Sequence, residues 1–359
     1  MRYSELYEQE PAIDQEDAEL QRKRLARLQA KQLAKLQDPA EIKAAIKNDP
    51  RYAGALMKRI KDFIRARNDA DMTEFAEMVS DLIFKLEDDP DKLKQWLLDL
   101  KNPKSNYIDP KKLLPKQGSP LLQDVKSVVK DAYTLKLFNQ LRDVKPTGRS
   151  DAGPYEAAVA ILSTAITFTR DGDEGGGGDI YYGGRKIEVK TNSGAIYPAG
   201  KVVPDMSIVT DFLKKNKIKP PAKKGEAEGV GYTVVKFTKM MMQRDQEEFL
   251  RKFPFVNFIK AVSKAWFKRV DKNLVDAVKL MDPLKFKQAW AEANFNFYKE
   301  IAGHEGVLLI TNKGNFAYYT SGDQLSDLVA RNGMELRSLY VDPPGDQPRR
   351  DMCKFGKNL

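Results

Sequence analysis

The residues best placed to do chemistry together lie in one short stretch, GGDIYYGGRKIEVKT, at residues 177–191. Gly183-Gly184 between two β-prone runs predicts a two-residue hairpin turn, because both turn positions need positive φ. With that turn, Tyr182 lies opposite Arg185, Ile180 opposite Ile187 and Asp179 opposite Glu188. The period of two then puts Lys186, Glu188 and Lys190 on one face, with Tyr181 and Asp179 beside them. Ile180, Tyr182, Ile187 and Val189 make the apolar face. Opposed carboxylates with Cβ atoms roughly 5 Å apart repel one another, so this register needs an offsetting charge. A divalent cation supplies it, and Mg2+ (with Mn2+ as its substitute) takes one or two carboxylates, waters and a substrate phosphate. Lys190, one pleat further on, can reach a water or phosphate oxygen there. A metal that activates water and a cation that stabilises phosphate charge are the parts of phosphodiester hydrolysis. Upstream, Glu156 in GPYEAAVAILSTA falls on the first turn of a helix entering from Pro154, where a further carboxylate can support the site. The glycine run at 175–178 allows a tight backbone approach to Asp179.

The order of Glu156 in a helix, then Asp179, then Glu188-Val189-Lys190 on the next strand resembles the PD-(D/E)XK nuclease superfamily, which is restriction-endonuclease-like. The resemblance implies an α/β domain, a mixed sheet flanked by helices in the order α, three strands, α, strand. It also implies the roles. Asp179 and Glu188 bind Mg2+, the Val189 backbone carbonyl joins them, Lys190 helps activate the attacking water, and Glu156 is the helix acid. Gly178 precedes Asp179 where the family name has proline. The resemblance covers roughly residues 150–240, with the strands after 305, and leaves 1–145 aside.

A bare [DE]xK is not specific, since Glu41-Ile42-Lys43, Asp99-Leu100-Lys101, Asp124-Val125-Lys126 and Asp143-Val144-Lys145 also occur. Those lie in helical or linker sequence and lack an opposed aspartate. The acidic turn from Asp171 begins like a calcium loop but has Tyr182 where a bidentate glutamate is needed. No GxxxxGK[ST] phosphate loop occurs. With one histidine and one cysteine, multi-histidine zinc centres, cysteine cages and internal disulfides are excluded. Histidine-dependent catalysis could rest only on His304, whose position after Ala302-Gly303 suits a charge complementing a helix C-terminus. Cys353 reads as a bystander thiol.

The elements that must position these residues fall into two parts divided near residue 145: a helical, partly basic N-terminal region (1–145) and a nuclease-like domain (146–359) with a helical insertion about 238–302. Asp38-Pro39 with Glu41 marks a helix start running to about Asn48. Phe75, Met78, Val79, Leu82, Ile83 and Leu86 form an amphipathic stripe, and Asp89-Pro90 starts another helix. Residues 103–117 read as a linker or an ordered crossing loop, and helical spacing resumes over 119–142. A helix at 154–167 precedes the hairpin. Strands are expected at 232–237, 307–311 and 315–320, and Phe286, Trp290, Ala293, Phe297 and Ile301 share a core-facing stripe.

The net charge of +10 is uneven: residues 1–20 carry −6 and residues 21–70 carry +9. Lys58, Arg59, Lys61, Arg65 and Arg67 form a candidate phosphate-binding face, and Arg185 and Lys186 at the hairpin tip are candidates to touch a nucleic-acid backbone near the cut. Lysine-rich residues 214–224 and the segment PPGDQPRRDMCKFGK are further basic loops. The expected partner is DNA, with no membrane, since no apolar run of about 20 residues occurs. The expected location is cytoplasmic, with virion association if the chain is phage-encoded, and a dimer is conceivable for a double-strand cutter. The competing class is a non-catalytic nucleic-acid-binding or phage structural or packaging protein that retains the fold.

Overall fold

The computed structural model describes residues 20–25, 27–28, 31, 38–63, 69–100, 106–144, 155–168, 179–196, 205–217, 254–336 and 353–359. The chain divides into two units, Met1–Ser105 and Asn106–Leu359.

In the first unit the described elements are helices: α1 Pro39–Asn48, α2 Pro50–Phe63, α3 Asp69–Leu86 and α4 Pro90–Asp99. Asp38 caps α1 through Ala40 N–H, and Asp89 caps α4 through Asp91 and Lys92 N–H, each with proline at the first helical position. Phe75, Val79 and Ile83 on α3 are fully buried, with Ile46, Leu93, Trp96 and Leu97 forming the rest of the small core. Among the described residues of this unit the elements are all helices, so the all-α expectation for 1–145 holds for this part of it. Arg59 departs from its expected role: it is only 4% exposed, so its guanidinium is inside the helical packing instead of on an open phosphate-binding face. Arg65 and the side chain of Lys58 lie outside the described residues.

The second unit opens with a short helix, α5 Pro110–Leu113, capped by Asp109, in what reads by composition as a linker or an ordered crossing loop. The next segment corrects the helical reading of 119–142. Residues Ser119–Asp124 form strand β1, and the helix α6 covers only Ala132–Gln140. β1 is an edge strand paired on one side with a later strand, and its register shifts between Ser119 and Gln123. An edge strand with a bulge shows no apolar alternation, and Leu121 and Leu122 are both exposed, which is why the period of two is missing from the sequence. This strand also moves the boundary between the units from the expected 145 to 105, because residues 106–144 pair and pack with the sheet.

Helix α7 spans Glu156–Leu162 and is followed by β2 Ile166–Phe168, β3 Ile180–Tyr182 and β4 Arg185–Lys190. The helix is shorter than the expected 154–167: Ser163 turns to extended backbone, residues 164 and 165 form a turn, and β-branched Ile166 and Thr167 begin the strand. After β5 Ala195–Ile196 the described residues form the helices α8 Met206–Lys215, α9 Phe255–Phe267, α10 Lys272–Lys279 and α11 Pro283–Ala302. Then follow β6 Gly306–Ile310, β7 Asn315–Tyr319, α12 Ser326–Ala330, β8 Met334–Leu336 and β9 Cys353–Phe355. The expected strand at 232–237 and the start of the helical insertion lie outside the described residues.

The main sheet has six strands in the order β1-β7-β6-β4-β3-β2. It is mixed: β4 and β6 run parallel, with Glu188 opposite Val307 and Lys190 opposite Leu309, and every other pairing is antiparallel. A parallel pair needs a long crossover, and the helices between β5 and β6 supply it. A second, three-stranded sheet has the order β5-β9-β8. β6 and most of β7 are buried, which accounts for their unbroken apolar runs VLLI and FAYY. α11 is buried on two sides. Phe286, Trp290, Ala293 and Phe297 join α9 in one core, while Ala291, Phe295 and Tyr298 join Val307, Leu309, Ala317 and Tyr319 of the sheet in another. No helix among the described residues is long and apolar enough to cross a membrane.

Candidate active site

The hairpin forms in the expected register, with Tyr182 opposite Arg185, Tyr181 opposite Lys186 and Ile180 opposite Ile187. Gly183 and Gly184 have φ of 56° and 83°, the left-handed values that this tight turn requires. Beyond Ile180 the ladder changes. Asp179 N–H donates to Ile187 O at 2.8 Å, and Asp179 Oδ2 accepts from Val189 N–H at 2.7 Å. The aspartate side chain thus takes a place in the hydrogen-bond ladder and is fixed by the strand that carries Glu188.

Glu188 is 7% exposed and accepts two hydrogen bonds on Oε1, one from Lys190 Nζ and one from Tyr298 OH at 2.6 Å. The register calls for something to offset two opposed carboxylates, and these bonds, with the one to Asp179, show that each is held by donors of the protein itself. Burial pushes the Glu188 carboxyl up, but the Lys190 ammonium, the Tyr298 hydroxyl and His304 outweigh it and hold the group below its ordinary range. Lys190 shows the complementary balance. Burial works against its charge, and the carboxylates of Glu188, Asp179 and Glu156 together hold its pKa above the ordinary lysine value. Lys190 pairs directly with Glu188 and lies within electrostatic reach of Asp179 and Glu156, and it is a donor at neutral pH.

Glu156 reaches this cluster from the first turn of α7 and is 5% exposed. The residue before it, Tyr155, has φ 69°, a conformation that costs a non-glycine residue on the order of 1–2 kcal/mol. The surroundings hold it there: its ring stacks on Phe138 at 4.9 Å, and its N–H donates to Arg142 O at 2.7 Å. The strained residue thus lies directly ahead of a buried carboxylate.

Three carboxylates against one ammonium leave formal negative charge in a largely buried place. Among the described residues no set of three His, Cys, Asp or Glu side chains is gathered for a metal. The oxygens on this hairpin that could hold a cation are those of Asp179 and Glu188 and the Val189 carbonyl. Hard-oxygen donors of this number suit Mg2+, which keeps several waters and shares a substrate phosphate.

Two residues at the site were not singled out for it by sequence. Tyr298 belongs to a second stripe on α11, Ala291, Phe295, Tyr298 and Ala302, at spacings of four, three and four beside the stripe of Phe286, Trp290 and Phe297. That second stripe is a legible signal that α11 is covered on two faces. His304 is 2% exposed, packs edge-on against Tyr298 at 4.7 Å and Phe295 at 6.3 Å, and has no hydrogen-bond partner at either ring nitrogen among the described residues. Burial lowers its pKa to about 4, so the imidazole is neutral at pH 7. That overturns its expected role as a charge complementing the end of α11; the Gly303 N–H to Lys299 O bond closes that helix instead.

The hairpin tip is also more committed than expected. Arg185 donates to Leu114 O at 2.7 Å and Tyr318 OH at 3.4 Å, with its guanidinium 5.5 Å from the Tyr182 ring centre and 5.7 Å from that of Tyr318. It fastens the hairpin to the segment after α5 and is spent on the fold, whereas Lys186 is half-buried beside it. Cys353 is fully buried on β9, and burial pushes its thiol up to about 12, in keeping with a bystander role. No family model, no curated protein and no solved structure matches this chain.

Proposed function

We propose that the chain is a Mg2+-dependent endonuclease of the PD-(D/E)XK, restriction-endonuclease-like type that hydrolyses DNA phosphodiester bonds. The observation that carries this reading is the buried Lys190–Glu188 pair on β4, with Asp179 bound to Val189 N–H between them and Glu156 acting electrostatically on the same lysine. The element order supports it: helix α7, the antiparallel run β2-β3-β4, a helical crossover, then β6 parallel to β4, which is the order the resemblance implies.

Asp179, Glu188 and the Val189 carbonyl would hold the cation. Bound there, a divalent ion supplies a Lewis acid for a phosphoryl oxygen and a water of lowered pKa. Lys190, kept as an ammonium by its carboxylate neighbours, donates a hydrogen bond to a phosphate oxygen or to the attacking water and stabilises the charge that builds on the phosphate. Glu156, directly after the strained Tyr155, accepts a hydrogen bond from that water and orients it. The burial of Glu188 strengthens each of these interactions by lowering the local dielectric.

The test is incubation of end-labelled duplex, single-stranded and RNA substrates with Mg2+, with and without EDTA. Mg2+-dependent cleavage of DNA is expected. Failure to cleave any nucleic acid would move the protein to the non-catalytic, nucleic-acid-binding class.

A further inference from the structure

Both hydrogen bonds that Glu188 accepts among the described residues fall on the same oxygen, Oε1. The two donors differ in kind. Lys190 is a long, flexible cation that repels a second cation placed near it. Tyr298 is neutral and rigid, and its hydroxyl reaches Oε1 at 2.6 Å from a helix, across 110 positions of sequence. Its ring is 6% exposed and is packed among Phe295, Val307 and Leu309 with His304 edge-on at 4.7 Å, so the hydroxyl cannot swing away without opening the core. A neutral donor locked in this way orients a carboxylate without adding positive charge.

We propose that Tyr298 is a positioning residue for the metal: by holding Oε1 it sets the plane of the Glu188 carboxylate and leaves Oε2 as the oxygen offered to a divalent cation. This inference rests on the metal-dependent reading of the site. Partners that orient a ligand in this way typically change metal affinity by about 10–100-fold when removed.

The test is a Mn2+ titration of the full chain by electron paramagnetic resonance of the free ion. It compares wild type, Tyr298→Phe, Glu188→Gln and Tyr319→Phe. Tyr319 is the control, since its buried hydroxyl has no hydrogen-bond partner among the described residues and its loss breaks nothing there. Near-ultraviolet circular dichroism checks that each variant keeps its packing. Tyr298→Phe is expected to weaken Mn2+ binding by about 10-fold, the low end of that range. Glu188→Gln is expected to abolish the tight site, and Tyr319→Phe to bind as wild type. In DNA cleavage, Tyr298→Phe should need more Mg2+ for half-maximal rate yet approach the wild-type rate at saturating Mg2+. Binding by Tyr298→Phe within a factor of two of wild type, with Glu188→Gln still defective, would overturn the role of Tyr298 and leave the metal reading standing. Wild-type binding unaffected by Glu188→Gln would overturn the metal reading and this inference with it.

Discussion

Replacing Lys190 by Met keeps most of the side-chain packing and removes the charge that balances Glu188. The side chains of the pair are 21% and 9% exposed, so this is a largely buried ion pair. Removing one partner of a buried pair costs about 3–5 kcal/mol, because the other charge is left without compensation. The low end applies here: Tyr298 still donates to Glu188, and the lysine is partly open to water. A loss of about 3 kcal/mol at pH 8 corresponds to a fall in Tm of about 6–12 °C for a unit of this size. The pH dependence follows from the direction of the Glu188 shift. In the wild type its folded pKa lies below the ordinary 4.5, so its contribution is fully present above that value and is lost as pH falls through the lower folded value. In Lys190→Met the opposing burial dominates and the folded pKa rises, so the variant loses stability as pH climbs above about 4.5. The gap between the two proteins should therefore be small in acid and widen to its full value by pH 8. Thermal melts followed by circular dichroism from pH 4.5 to 8.5, with EDTA present, measure it. A gap below about 1 kcal/mol at pH 8, the size expected of an exposed pair, or a gap that does not change with pH, would refute the buried-pair reasoning.

Other consequences concern stability. His304 has a folded pKa of about 4 against an ordinary 6.5, so the unfolded chain binds the extra proton between those values and stability falls as pH drops from 6.5 to 4. That shift corresponds to roughly 3 kcal/mol, and His304→Leu should flatten this limb of the acid profile; a variant with the wild-type slope would contradict the burial of a neutral imidazole. At the hairpin turn, an added Cβ on Gly183 meets open space, so Gly183→Ala should cost only its backbone strain, about 1 kcal/mol. Gly306→Ala should cost more, about 3 kcal/mol, because its Cβ would fall 2.5 Å from Tyr319 O and 2.8 Å from Tyr318 OH. Urea denaturation of the two variants ranks them, and the reverse order would show that β6 and β7 do not approach closely at Gly306.

The hairpin and its acidic and basic positions are legible in the sequence because a Gly-Gly turn fixes register, and register fixes which residues share a face. The Asp-Pro helix starts at Asp38 and Asp89 are legible for a similar local reason, each capping a helix through its own side chain, whereas Asp109 caps a helix inside residues whose composition reads as a linker or loop. What escapes is non-local. Tyr298 and Glu188 meet only because α11 packs across the sheet, and no local pattern near residue 188 announces a partner 110 positions later. β1 escapes because an exposed edge strand carries no alternating apolar face. Beside Lys58 and Lys61 the sequence suggests a surface charge at Arg59, yet its side chain is buried. Charge runs give composition, and burial is decided by helical phase and tertiary packing.

The central claim is that Asp179, Glu188 and Lys190 form one phosphodiester-hydrolysing site. Its most direct test is nicking of supercoiled plasmid DNA in Mg2+ by wild type, Asp179→Asn, Glu188→Ala and Lys190→Ala, each first shown to be folded. Wild type should convert supercoiled to open-circular and linear forms, EDTA should stop it, and each variant should lose at least about 100-fold in rate, the scale on which single transition-state contacts act. Nicking that survives Glu188→Ala and Lys190→Ala at the wild-type rate would contradict the assignment.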